Sequence, residues 1–143
     1  MKEHFNHLRY LFLAKDKTLT AKDLIDVFTT QFSEEGSNRR QNEIKSYAWF
    51  RDFLLDVEGG EMHVEESKYL TLQEVLAFAC GLEELPPLGF KNKPIIEFLH
   101  TDRKFPEANT CAVVLRLPIH RSYDEFCNHM CSGILQAPMF GMA

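Results

Sequence analysis

The four cysteines, Cys80, Cys111, Cys127 and Cys131, are the side chains of this sequence with the most chemistry available to them. The opening residues 1–14 mix charges and histidines where a secretory signal needs an apolar core. The chain is also long enough to close a hydrophobic core without disulfides, so all four thiols are expected to be reduced. A reduced thiol serves as a small core side chain, a metal ligand or a nucleophile, and its surroundings decide which.

The sequence before Cys111 predicts that this thiol is accessible. The polar, proline-containing segment HTDRKFPEANT precedes it, which places Cys111 at the end of a loop where a thiol can meet a partner. A cysteine without such a context is more often a small buried hydrophobe. Cys80 is of that kind, because it lies in the apolar stripe of a predicted helix, and we expect it in the core.

Cys127 and Cys131 lie one helical turn apart, a spacing that two metal ligands can share. A zinc site takes four ligands, and His120 or His129 would have to complete it without a second cysteine pair. We therefore expect no metal and no other cofactor. A small metal-binding regulator built on these residues is the least favoured function, and zinc bound to the purified protein would identify it.

Five helices are predicted from apolar stripes and from capping residues. They cover residues 4–14, 21–32, 42–58, 72–80 and 123–136. Thr20 is the candidate N-cap of the second helix, and Thr71 and Ser122 open capping boxes with Glu74 and Glu125. The third helix should bury the stripe formed by Ile44, Tyr47, Phe50, Leu54 and Val57, and should end at Gly59-Gly60.

A small sheet is expected in the C-terminal half. The turn at Pro86-Pro87 leads into a strand over Ile95–Leu99, and a second, central strand of about seven residues runs from near Cys111 to Pro118. Residues 100–110 are expected to form the loop between them. In the predicted order, the first helices are followed by a helix, two strands and a final helix. This order indicates an α+β domain.

The net charge of −5 argues against nucleic acid as a partner, because phosphate binding needs clustered Lys and Arg. No stretch approaches the roughly 18 consecutive apolar residues that span a bilayer, so no membrane partner is expected. We expect an intracellular protein, cytoplasmic, nuclear or both.

An ordered series of motifs resembles the C-terminal lobe of HECT-type ubiquitin ligases, closely over residues 70–143. The motifs are LTLQEVLAFACG, LPPLGF, FPEANTC, VVLRLP, SYDEF and MFGMA. The family pattern places a proline, an alanine and a threonine before its cysteine, and Pro106, Ala108 and Thr110 stand before Cys111 here. The resemblance implies an α+β fold with helices packed on a small mixed β-sheet of about four short strands.

The resemblance also implies two parts. Residues 1–35 resemble the end of the family's larger N-terminal lobe followed by a hinge, which we place in the polar break Ser33–Arg40. Residues 36–143 form the C-terminal lobe. The rest of the larger lobe, which docks the conjugating enzyme, is not in this sequence, so loading of the isolated chain is expected to be weak.

The activity implied is a two-step acyl transfer, in which Cys111 accepts ubiquitin as a thioester from a conjugating enzyme and passes it to a substrate lysine. A thiolate attacks a thioester readily and leaves readily, which suits both steps. The partners implied are ubiquitin, a ubiquitin-conjugating enzyme and a protein substrate.

Three further residues take supporting roles by resemblance. Thr110 positions the thioester, or it is simply a good strand residue. The family often has histidine where Asn109 stands, and an amide can orient a group but cannot accept a proton. Phe140 matches an aromatic four residues from the family's end that helps the transfer to lysine. His100 and His120 lie near strand ends and could move a proton, although surface histidines without a role are commoner.

The strand that follows the cysteine departs from the family. In the family, this strand often reads Asn-Arg-Leu-Asp-Leu-Pro, whereas residues 113–118 of this chain read VVLRLP. This departure and Asn109 slightly favour the rival interpretation, a non-catalytic ubiquitin- or protein-interaction module with an idle Cys111. A reactive Cys111 would indicate the enzyme, and an inert one the module.

Overall fold

A computed structural model describes residues 18–65 and 68–136. The predicted helix over 4–14 and Phe140 lie outside these residues. The elements are α1 (Ala21–Val27), β1 (Thr29–Thr30), α2 (Asn38–Glu58), β2 (His63–Glu65), β3 (Lys68–Tyr69), α3 (Leu72–Cys80), β4 (Ile95–Leu99), β5 (Glu107–Asn109), β6 (Val114–Pro118) and α4 (Tyr123–Gln136).

The helices begin where the sequence offers caps. Thr20 and Thr71 each accept a hydrogen bond from the backbone three residues on, in capping boxes with Asp23 and Glu74. Gly81 ends α3 in the left-handed conformation, with φ 79°. These features confirm the predicted starts of α1 and α3 and the predicted stop of α3.

Two helix boundaries were predicted wrongly. The helix expected over 21–32 ends at Val27, because the chain becomes extended at Phe28 and Thr29–Thr30 pair with β4. The helix expected from residue 42 already begins at Asn38, because the Ser37 hydroxyl accepts a hydrogen bond from the Arg40 N–H and caps it earlier.

The main sheet has four strands in the order β1-β4-β6-β5. β4 is parallel to β1 and to β6, whereas β5 is antiparallel to β6, so the sheet is mixed and the expected α+β class is confirmed. β6 is central, as predicted. The strand β5 lies within the stretch predicted as loop, and β1 and the separate β2–β3 hairpin were not predicted.

One hydrophobic core joins the helices to the two central strands. Its fully buried side chains include Leu24, Phe50, Phe53, Leu54, Leu76, Ile96, Leu115, Leu117, Phe126 and Met130. Leu24 of α1 belongs to this core and β1 belongs to the sheet, so residues 19–30 pack with the elements that follow them. The division of the chain at residue 35 stays a prediction.

The inward face of α2 also carries two polar side chains that the apolar pattern did not predict. Ile44 is 49% exposed, and the inward positions beside it belong to Glu43 and Ser46. Ser33 donates to the Glu43 carboxylate from its N–H at 2.6 Å and its hydroxyl at 2.7 Å, and His100 Nε2 lies 2.5 Å from the same group. Burial opposes ionisation of Glu43, but these hydrogen bonds outweigh it and lower its pKa below the ordinary 4.5.

Candidate active site

Cys111 lies at the tip of the β5–β6 hairpin. The strands pair as far as Asn109 and Val114, so the four residues 110–113 form the connecting turn. Cys80, Cys127 and Cys131 are buried, and Cys111 is the exposed cysteine. The predicted exposure of Cys111 is therefore confirmed, but the residue lies in the turn of a hairpin rather than at the end of a long loop.

Hydrogen bonds hold this turn at three consecutive residues. The Asn109 side-chain oxygen accepts from the Ala112 N–H at 3.1 Å. The Asn92 amide donates to the Cys111 carbonyl at 3.4 Å, and the Ile95 N–H donates to the Val113 carbonyl at 3.0 Å. These bonds fix the backbone of residues 111–113, from which the exposed Cys111 side chain projects.

Val113 has a strained backbone. Its φ is +56°, a left-handed conformation that a β-branched side chain disfavours, at a cost of about 1–3 kcal/mol. The conformation persists because the side chain is 7% exposed within the core and the carbonyl accepts from Ile95. It also explains why β6 begins at Val114 and has five residues rather than about seven. In the family that the sequence resembles, asparagine often stands at this position, and asparagine tolerates the left-handed region. That asparagine was the sequence signal that could have predicted a left-handed residue at position 113.

Close packing fixes the chain that enters the hairpin. Pro106, one residue before β5, is buried against Gly133 of α4. A Cβ atom on Gly133 would lie 2.6 Å from Pro106 Cδ, closer than real Cβ atoms approach other atoms. Helix α4 thus needs glycine at position 133 so that Pro106 can pack against it.

The buried thiols are poor nucleophiles. Burial raises the pKa of Cys127 and of Cys131 to about 11, and it also raises the pKa of Cys80. These thiols are protonated at neutral pH, and the protonated form does not attack. The prediction of Cys80 as a core residue is confirmed. Within residues 18–65 and 68–136, no group of three or more His, Cys, Asp or Glu side chains could hold a metal ion.

The histidines considered for proton transfer have partners of their own. His100 pairs with Glu43, and His120 Nε2 lies 2.8 Å from the Lys104 carbonyl. The His120 ring stacks on His129, with ring centroids 4.5 Å apart. The structure thus ties His100 to α2 and His120 to the loop before β5.

The structure brings two of the three predicted supporting residues next to Cys111. Thr110 is its half-buried neighbour in the turn, and Asn109 caps the turn. Phe140 lies outside the described residues, so its role stays a prediction. Sequence reasoning missed Asn92, because a contact across 19 residues leaves no local pattern.

The family model of the HECT-domain (ubiquitin-transferase) matches residues 6–143. The chain belongs to the HECT family. This HECT chain is 35% identical over 130 residues to a G2/M phase-specific E3 ubiquitin-protein ligase of Gallus gallus, a match that covers 91% of the chain and 16% of that relative. The Homo sapiens protein of the same name is 34% identical over 116 residues, 81% of the chain and 14% of the relative.

The HECT chain thus spans 14–16% of the length of these curated relatives. In its described residues, none of the helices is both long enough and apolar enough to cross a membrane.

Proposed function

We propose that this chain carries the acyl-transfer centre of a HECT ubiquitin ligase, with Cys111 as the residue that receives ubiquitin. Membership of the HECT family supports the reaction class. The observation that carries the assignment to one residue is the exposure of Cys111 on a hydrogen-bonded turn, while the other three cysteines are buried.

In the proposed first step, the Cys111 thiolate attacks the thioester carbonyl of ubiquitin bound to a conjugating enzyme. The bond from Cys111 Sγ to the ubiquitin carbonyl carbon forms, and the bond to the conjugating enzyme's sulfur breaks, so its thiolate leaves. In the second step, a substrate lysine amine attacks the new thioester. An isopeptide bond forms, the amine loses a proton, and Cys111 leaves as thiolate.

The neighbours of Cys111 divide the supporting roles in this proposal. Asn109 shapes the turn through its bond to the Ala112 N–H, so its oxygen is already engaged in the free protein. An amide cannot accept the proton that the lysine releases, so this proton is proposed to pass to solvent or to a group of the bound substrate. Thr110 flanks the thioester, and Phe140 assists the second step.

Ubiquitin, a conjugating enzyme and a protein substrate are the partners that the proposal requires. The family supports these partners as a class. Because the chain spans a small part of its curated relatives, docking of the conjugating enzyme by this chain alone is proposed to be weak.

The test mixes the chain with an excess of ubiquitin-loaded conjugating enzyme and separates the products on a non-reducing gel. The proposal expects an adduct of one ubiquitin that a reducing thiol removes. Cys111→Ala should abolish it, whereas Cys127→Ala, which removes a buried thiol, should retain it. Circular dichroism of both variants confirms that they are folded.

A missing adduct would favour the non-catalytic module, provided that it stays missing when the family's N-terminal lobe is fused to the chain. In that case Cys111 is an idle side chain, and the surface around it is an interaction surface for ubiquitin or another protein.

A further inference from the structure

The loop that precedes β4, residues 90–94, is not part of the β5–β6 hairpin but contacts its turn at Cys111. Its two ends are fixed: Phe90 packs against the hydrophobic core, and the buried Pro94 accepts a hydrogen bond from the Thr29 N–H at 2.9 Å. Asn92 lies midway between these anchors and is exposed. A short segment held at both ends has little freedom, so the position of Asn92 is set by the fold.

Two donors reach the turn, one from this loop and one from Ile95, the first residue of β4. The Asn92 side-chain amide donates to the Cys111 carbonyl, and the Ile95 N–H donates to the Val113 carbonyl. The Ile95 bond involves the backbone, so any residue other than proline supplies it. The Asn92 bond depends on the side chain, and it acts on the backbone of the cysteine itself.

We propose that Asn92 is a positioning residue for acyl transfer, which fixes the direction of the Cys111 side chain by binding its carbonyl oxygen. This inference rests on the proposed function. Its physical basis is that transfer between two bound thiols requires the attacking sulfur close to, and aligned with, the thioester carbon. Without the Asn92 bond, the peptide plane between Cys111 and Ala112 is held on one side only, by Asn109.

The chain offers matched variants for the test. Asn92→Ala removes the whole amide, and Asn92→Asp keeps its shape but exchanges the donor for an acceptor that repels the Cys111 carbonyl. Asn128 is an exposed asparagine on α4, so Asn128→Asp controls for the added charge. Thermal unfolding of every variant reports whether the fold is unchanged.

Two rates are measured on the full chain. The first is single-turnover transfer from ubiquitin-loaded conjugating enzyme over a range of donor concentrations. The second is alkylation of Cys111 by iodoacetamide, a small reagent with little demand on the direction of the sulfur. The maximal transfer rate should fall about three- to fivefold in both Asn92 variants, the lower half of the range for one hydrogen bond, because this bond is long at 3.4 Å and exposed. The donor concentration at half-maximal rate and the alkylation rate should stay within twofold of wild type.

Three results would overturn the inference. Wild-type transfer rates in Asn92→Ala and Asn92→Asp would show that the bond does not position the cysteine. An equal fall in transfer and alkylation, or a lowered unfolding temperature, would assign Asn92 a structural role. A wild-type chain that forms no thioester at any donor concentration would remove the proposed function and this inference with it, a result distinct from the first two.

Discussion

Gly133→Ala is expected to destabilise the protein, although alanine is the better helix residue. The new Cβ would lie 2.6 Å from Pro106 Cδ and 2.9 Å from Pro106 Cγ, whereas carbon atoms pack best at about 3.5–4.0 Å. The proline must therefore move by about 1 Å. Its ring cannot rotate away as a flexible side chain does, so the change amounts to overpacking, which costs about 1–3 kcal/mol.

The gain in helix propensity from alanine is smaller than this packing cost. Replacing a helical glycine by alanine gains about 0.5–1 kcal/mol. The net loss should be about 1 kcal/mol or somewhat more, which lowers the unfolding temperature by about 3–6 °C in a domain of this size. Urea unfolding followed by circular dichroism measures the free energy, and thermal unfolding measures the temperature.

Gly59→Ala is the matched control. Its Cβ would meet the Leu55 carbonyl oxygen at 3.5 Å, an ordinary contact, and its backbone is right-handed with φ −76°. It should change stability by less than about 0.5 kcal/mol. Pro106→Ala removes the clashing ring atoms, so the double variant should recover about 1 kcal/mol relative to additive single changes. A Gly133→Ala protein more stable than wild type would refute the packing argument.

The remaining predictions concern the turn, the thiols and the buried carboxylate. Val113→Gly should cost less than about 1.5 kcal/mol in urea unfolding, because relief of backbone strain offsets the lost side chain, whereas Leu115→Ala should cost about 2–5 kcal/mol; equal losses would contradict the strain. Iodoacetamide at pH 7.5 should label Cys111 in the native protein and the other three cysteines only after unfolding, as mass spectrometry of peptides can check. The lowered pKa of Glu43 stabilises the fold above pH 4.5, and this contribution is lost as the pH falls below that value. The stability difference between wild type and Glu43→Gln should therefore shrink between pH 7 and pH 3; a constant difference would count against an ionised Glu43.

Local sequence signals predicted the starts of α1, α3 and α4 and the two central strands. Thr20, Thr71 and Gly81 each act within one helical turn, so their effect can be read without tertiary structure. The apolar, β-branched sequence around Val114 marks a central strand for the same reason, although Val113 itself lies in the turn before β6. The strands β1 and β5 have two and three residues, too few for an alternating pattern, and they exist because neighbouring strands supply their hydrogen bonds.

The candidate site also divides into residues with a local sequence signal and residues placed by long-range contacts. Cys111, Thr110 and Asn109 were found because they form one contiguous motif. Asn92 was not found, since its contact depends on how the loop before β4 folds. The inward-facing Glu43 was missed because a charged residue on an apolar face is predictable only when its distant partners are known.

The most direct test of the central proposal replaces the sulfur of Cys111 by oxygen. Cys111→Ser, incubated with ubiquitin-loaded conjugating enzyme, should form an adduct slowly. A reducing thiol should leave this adduct intact and hydroxide should cleave it, because the link is now an ester of the serine oxygen. An adduct on the Cys111→Ser chain that a reducing thiol still removes would place ubiquitin on another cysteine and contradict the assignment of Cys111.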